Sequence, residues 1–162
     1  MNNNEDLKNK HKRFMMEAIK EAHKALKINE VPVGAVIVKD GLIISRGHNQ
    51  KETKNDPTGH AEIIAIKKAC AKLSSWRLND CEMYVTLEPC TMCAGAIIQS
   101  RIKNLYIGTK DSKAGACGSV INVLTVKQFN HKVIVEYDIL KDRCFKILND
   151  FFKKIRFNKT TD

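Results

Sequence analysis

Two short motifs hold the residues most able to do chemistry. His60 and Glu62 lie in a His-Ala-Glu triplet, and thirty positions on from His60, Cys90 begins a Pro-Cys-x-x-Cys run that ends at Cys93. An imidazole and two thiols are ordinary zinc ligands. Three protein ligands leave one tetrahedral position open to water or substrate, the pattern of a catalytic rather than a structural zinc. Glu62, two residues after a ligand, is better placed to move protons beside the metal than to close the tetrahedron. The set therefore predicts hydrolysis at one zinc ion per chain. A purely structural zinc would need a fourth ligand and would leave Glu62 without a task.

The elements around the motifs must bring these side chains together. Cys90 and Cys93 are three apart and share one face of a helix. Residues two apart inside a regular helix point to nearly opposite sides, so His60 and Glu62 can face one metal only if His60 sits at the helix entry. The run "NDPTGHAEIIAIKKAC" agrees: Asp56, Pro57 and Gly59 are turn residues, and Ile63, Ile66 and Ala69 follow at helical spacing. Cys90 likewise follows Pro89, a residue favoured at helix starts. Two helix N-termini are thus expected to converge on the metal, where their dipoles favour thiolates at Cys90 and Cys93.

Further along the chain, Met15, Ala18, Ile19, Ala22, Ala25 and Leu26 recur at steps of three and four, which predicts an N-terminal amphipathic helix ending near Asn29. Strands follow at residues 33–38 and 42–46, turned by Asp40-Gly41. "CEMYVTL" reads as a strand feeding the Cys90 helix, which runs through Ala96, Ile97 and Ile98. "NLYIGT" and "KVIVEY" are further strands, and a helix over residues 140–155 closes the chain. Strands alternating with helices, with continuous apolar strands, predict an α/β sandwich whose sheet is covered on both faces. The metal site belongs at one rim of that sheet, where ligands of such folds sit.

With 162 residues the chain makes one domain, with residues 1–8 expected as a mobile N-terminus and 157–162 as a basic tail. No apolar stretch reaches the roughly 20 residues that span a bilayer, and no signal peptide is visible at the start, so a cytoplasmic protein without a membrane partner is expected. In that compartment Cys70, Cys81, Cys117 and Cys144 read as small buried hydrophobes rather than disulfide partners. The formal charge of +10, from 28 Lys and Arg against 18 Asp and Glu, points to a polyanionic partner, although solvated Lys-rich faces give the same count. Lys153, Lys154, Arg156 and Lys159 lie among Phe151, Phe152 and Phe157, a composition suited to nucleic-acid backbone. His11 and His23 are expected on a solvated helix face, His48 and His131 as loop hydrogen-bonding residues, and Trp76 as packing. The glycines of "AGACGS" precede no Lys-Ser or Lys-Thr and so form no P-loop.

Taken together, "VPVGAVIV", "DPTGHAEIIAI", "YVTLEPCTMCAGAII", "SRI" and "DSKAGACGS" closely resemble the bacterial tRNA-specific adenosine deaminases over most of the chain. The short zinc motif alone is shared with cytidine, cytosine, guanine and nucleic-acid-editing deaminases; the flanking segments choose among them. The resemblance implies a three-layer cytidine-deaminase-like sandwich, with a five-stranded mixed sheet and helices on both faces. It also implies a homodimer, and hydrolysis of the wobble adenosine, A34, of an arginine tRNA anticodon to inosine by zinc-activated hydroxide. By the same resemblance His60, Cys90 and Cys93 bind zinc and Glu62 transfers protons. Asn49 then hydrogen-bonds the purine, and Asp111 lies near the nucleotide sugar. These deaminases are a type case of zinc chemistry on an extruded base, so the mechanism comes with the resemblance and not from the spacing. Two other readings compete: a small-molecule guanine or cytosine deaminase, and a non-catalytic zinc protein that binds RNA by charge.

Overall fold

The computed structural model describes residues 3–159, with side chains placed for 5–158. The first helix, α1 (Asn3–Lys27), carries Glu5 and Asp6 in its first turn and Lys24 and Lys27 in its last, each sign complementing the helix dipole. Its stripe of Phe14, Met15, Ala18, Ile19, Ala22 and Ala25 is buried, while Leu26 lies at the exposed rim. The helix stops where Asn29 adopts a left-handed conformation, φ 58°. Of residues 1–8, expected to be mobile, 3–8 are the first turns of this helix and 1–2 lie outside the described residues.

A hairpin follows, β1 (Gly34–Lys39) and β2 (Leu42–His48). Asp40 and Gly41 at its tip both have positive φ, 50° and 75°, as a two-residue turn of this hand requires. Next come α2 (Ala61–Leu73), β3 (Glu82–Leu87), α3 (Thr91–Gln99), β4 (Asn104–Thr109), β5 (Ile134–Glu136) and α4 (Lys141–Lys159). The strands form one sheet in the order β2-β1-β3-β4-β5. β1 is antiparallel to both its neighbours, whereas β3, β4 and β5 run parallel, with α3 as the crossover between β3 and β4.

Alternation along the central strands divides the core in two. Ala35, Ile37, Met83, Val85, Leu105 and Ile107 face α2 and α3, among Ala61, Ala65, Ala94 and Ile97. Val36, Val38, Tyr84 and Tyr106 face the other way, against Phe14, Met15, Ala18 and Ile19 of α1 and Cys144 of α4. The sheet is therefore mixed and covered on both faces, the three-layer α/β sandwich expected. Among the described residues no helix is long and apolar enough to cross a membrane.

Several expectations need correction. The fifth strand is only Ile134–Glu136, because it is an edge strand with Ile134 and Glu136 exposed, and Asp138 (φ 65°) turns the chain toward α4. α4 extends to Lys159, so the expected tail begins inside a helix, and residues 160–162 lie outside the described residues. His11 is not solvated. It is buried, its ring stacked on Tyr106 at 4.1 Å and its Nδ1 2.8 Å from the Tyr84 hydroxyl. Trp76 is not core packing: it is 53% exposed, with the Arg77 guanidinium 4.1 Å above its ring. Cys81, Cys117 and Cys144 are buried free thiols as expected, while Cys70 is half-exposed.

Candidate active site

The site forms where α2 and α3 begin. His60 caps α2 in an extended conformation, φ −84° and ψ 149°, with its carbonyl already accepting the Ile64 N–H at 3.0 Å. Cys90 caps α3 in the same way, φ −74° and ψ 177°, and Ala94 N–H closes the first bond to its carbonyl at 2.8 Å. The approach to His60 is shaped by Asp56, whose Oδ1 accepts the backbone N–H and hydroxyl of Thr58 at 2.8 and 2.7 Å. Because His60 stands outside the regular helix and Glu62 inside its first turn, residues two apart share one side.

The entry of α2 is held by β2 at backbone distance. A Cβ at Gly47 would lie 2.2 Å from the Ala61 carbonyl oxygen and 2.8 Å from the Ala65 nitrogen, so only glycine lets strand and helix meet here. Two residues earlier along β2, the Ser45 hydroxyl donates to the Ala65 carbonyl at 2.8 Å.

His60 Nδ1 is 3.7 Å from Cys90 Sγ and 3.5 Å from Cys93 Sγ. A tetrahedral zinc with its usual bond lengths sets nitrogen and sulfur ligands about 3.6 Å apart, so the donor set fits the ion. These three residues are the one cluster of three potential metal ligands among the described residues. The three groups share protons among themselves. Cys90 falls to about 3, because the Cys93 thiol and the His60 imidazole both donate to it. The same bond to Cys90, together with burial, holds the Cys93 proton well above the thiol range, and the Cys90 thiolate raises His60.

Glu62 is 4% exposed, and burial lifts its carboxyl to about 7, in the range where a group both takes and gives protons near neutral pH. The Cys93 thiol is its hydrogen-bonding neighbour. With His60 and Cys90 it borders a pocket of about 210 Å³ that Val31, Val33 and Leu87 line with apolar surface. Asn49 is buried at the same wall, its backbone N–H bonded to the Val33 carbonyl at 3.1 Å. Beside it, His48 bonds Glu21 and the Gln50 side chain, each at 3.1 Å, which fixes the backbone on either side of Asn49. Asp111 also lines the pocket, with Oδ1 turned into its own loop to accept the N–H groups of Lys113 and Ala114 at 2.9 and 3.2 Å. All six expected site residues thus meet around one pocket or beneath it.

Two buried acids in this pocket were not anticipated. Glu30 accepts the N–H and hydroxyl of Thr53 at 2.6 and 2.9 Å, pinning the loop after β2. Glu88 accepts four hydrogen bonds from residues 111–119. The available signal was an acid directly before Pro89-Cys90, where a solvated charge has little room.

A family model for MafB19-like deaminases matches residues 9–156. A tRNA-specific adenosine deaminase of Bacillus subtilis is 45% identical over 146 residues, 90% of this chain and 91% of that protein. One from Aquifex aeolicus is 48% identical over 145 residues, 90% of this chain and 95% of its own length. The chain belongs to the tRNA-specific adenosine deaminase family. In three dimensions it is similar to a solved structure from studies of A-to-I editing by tRNA:A34 deaminases at the wobble position of transfer RNA. That similarity has a TM-score of 0.81 and 43% identity, covering 84% of this chain and 99% of the other. Membership makes the chain a hydrolytic deaminase, and His60, Cys90 and Cys93 are its candidate metal ligands.

Proposed function

We propose that the chain, as one zinc-dependent deaminase domain over residues 1–162, converts the wobble adenosine of an arginine tRNA anticodon to inosine, releasing ammonia. The observation that carries this reading is Glu62: a buried carboxyl at the edge of an incomplete His60-Cys90-Cys93 ligand set, inside a pocket sized for a single base. The volume of about 210 Å³ lies below the roughly 300–1,000 Å³ usual for small-molecule sites.

Zinc held by His60, Cys90 and Cys93 would supply an open coordination position and acidify the water that occupies it. Glu62 takes the proton from the attacking water and passes it to N1 of adenine as the new bond forms at C6. The carboxylate then takes the proton of the new C6 hydroxyl and delivers it to the exocyclic nitrogen, the C6–N6 bond breaks as the C6 carbonyl forms, and ammonia leaves. Asn49 orients the purine by hydrogen bonding, and Asp111 sits toward the sugar. Val31, Val33 and Leu87 exclude water from the base.

A stacked adenine does not reach this recess, so the substrate is a loop nucleotide that can be splayed out. A second groove of about 420 Å³ shares Val31, Leu87 and Asp111 with the pocket and adds Lys110, Lys113, Phe145 and Phe152. Cations and exposed aromatic rings beside the pocket favour a nucleic-acid strand over a free base. A homodimer acting in the cytoplasm belongs to the same reading, with exposed Val120, Ile121, Val126 and Phe129 as the apolar surface for pairing.

The deciding experiment incubates zinc-loaded protein with an anticodon stem-loop, adenosine, guanine and cytosine, and quantifies inosine, xanthine and uracil. Inosine from the stem-loop at low salt, with little turnover of the small molecules, is expected. Xanthine or uracil as the main product, or equal rates on free adenosine and stem-loop, removes the reading.

A further inference from the structure

The loop after β4, residues 110–119, contains neither helix nor regular strand, yet it contributes Asp111 and Ala114 to the wall of the pocket. Its shape therefore needs an anchor. The anchor is Glu88, at the end of β3, with a side chain only 2% exposed. Its Oε1 accepts the backbone N–H groups of Cys117 and Ser119, each at 3.0 Å. Oε2 accepts the Asp111 N–H at 3.0 Å and the Ser119 hydroxyl. Both oxygens are thus engaged by one loop, whose donors converge as they would on a bound anion.

A second observation is independent of those bonds. A Cβ at Gly115 would lie 2.5 Å from both Cδ and Oε2 of Glu88, and 2.5 Å from the Asp111 carbonyl oxygen of the loop itself. The loop backbone thus seats directly on the carboxylate, at a distance no other residue permits. Other ties of residues 115–117, among them Ala116 N–H to the Pro89 carbonyl at 2.9 Å, Val123 N–H to the Ala116 carbonyl at 3.0 Å and the Tyr137 hydroxyl to the Cys117 carbonyl, hold the far side of the loop. The Asp111 and Ala114 end depends on Glu88.

We propose that Glu88 is a positioning residue for substrate: its carboxylate fixes residues 110–119 as the wall against which the extruded nucleotide binds. This rests on the deaminase reading above. Although Glu88 borders the pocket, both its oxygens are taken up by the loop, so it acts on substrate affinity and leaves the chemical step largely intact. Glu88→Gln places amide donors against backbone donors. Gly115→Ala leaves the carboxylate unaltered and sets a methyl group against it and against the Asp111 carbonyl oxygen. Glu88→Asp keeps the charge at shorter reach. The first two break the same contact from opposite sides and should share one signature.

The test uses the zinc-loaded full chain and measures zinc per chain, kcat and KM for the anticodon stem-loop, and amide hydrogen exchange at Asp111, Cys117 and Ser119. For Glu88→Gln and Gly115→Ala we expect exchange at those amides and KM each to rise roughly tenfold, the loss of one charge-assisted bond, with kcat and zinc content near the wild-type values. Glu88→Asp should fall between these variants and wild type in both readouts. Unchanged exchange, faster exchange with KM unchanged, or zinc loss in step with activity overturns the proposal, the last because Glu88 would then serve the metal-bearing helix. If Glu88→Gln fails to fold, Gly115→Ala decides alone. If wild-type protein makes no inosine, the functional reading falls, and the exchange rates still decide whether Glu88 holds the loop.

Discussion

Gly47→Ala tests how closely the geometry of the site depends on one backbone contact. The added methyl carbon would stand 2.2 Å from the Ala61 carbonyl oxygen, whereas ordinary contact begins at 3.4 Å, so the α2 entry and β2 must separate by about 1.2 Å. Ala61 lies between His60 and Glu62, and both move with it. Displacement of a catalytic group by about 1 Å costs on the order of a hundredfold in rate, and overpacking costs about 1–3 kcal/mol of stability. Gly95→Ala is the matched control, since a Cβ there has no neighbour within 4 Å although it lies two residues from Cys93. That change should be neutral or stabilise α3 by up to about 1 kcal/mol. Denaturant midpoints, zinc content and stem-loop deamination would be measured for both. If folded Gly47→Ala keeps wild-type kcat within about threefold, the rate sensitivity assumed here does not apply, and the contact does not set the position of Glu62.

Four further outcomes are expected. Glu62→Gln should retain zinc while kcat falls by roughly 10²–10⁴, the usual contribution of a positioned acid or base; equal loss of zinc would make Glu62 a ligand instead. Asn49→Ala should raise KM for the stem-loop by roughly tenfold, as one hydrogen bond to the base is lost, and unchanged KM would remove it from base recognition. Chelated protein should be alkylated first at Cys90, the half-buried thiolate, with zinc protecting it; peptide mapping that finds Cys70 modified first contradicts this. KM for the stem-loop should climb with salt, with a logarithmic slope of roughly 0.7 for each phosphate contact, while turnover of free adenosine stays flat.

What the sequence made legible was local. The ligand set and the helix starts at His60 and Cys90 follow from spacing and turn chemistry over a few residues, and β4 covers the six residues expected of it. His11 was misplaced because Lys8, Lys10, Lys12 and Arg13 around it read as a solvated face. Its burial is set by Tyr84 and Tyr106 on strands far along the chain. Glu88 is a similar case. A single acid before Pro89 has no period to betray it, and its partners are donors of backbone that any residue could supply. Asn49 and Asp111 were reached through resemblance, since their meeting in one pocket depends on the sheet order and on no local pattern.

Sheet topology explains why so few residues suffice. β1 lies between β2 and β3 and is antiparallel to both, so the chain leaving β2 reaches the same rim at which β3 ends. α2 therefore starts beside the point where α3 starts, although thirty positions separate His60 from Cys90. Each helix start then supplies one candidate ligand from its extended cap and one further residue of the candidate site from its first turn: His60 with Glu62, and Cys90 with Cys93. Successive residues of a regular helix are rotated by about 100°, so moving His60 into the helix would swing it some 200° from Glu62 and part the two side chains. The extended backbone at position 60 is thus what brings them to one pocket, and the Asp56-Thr58 turn and the glycine contact at Gly47 hold it there.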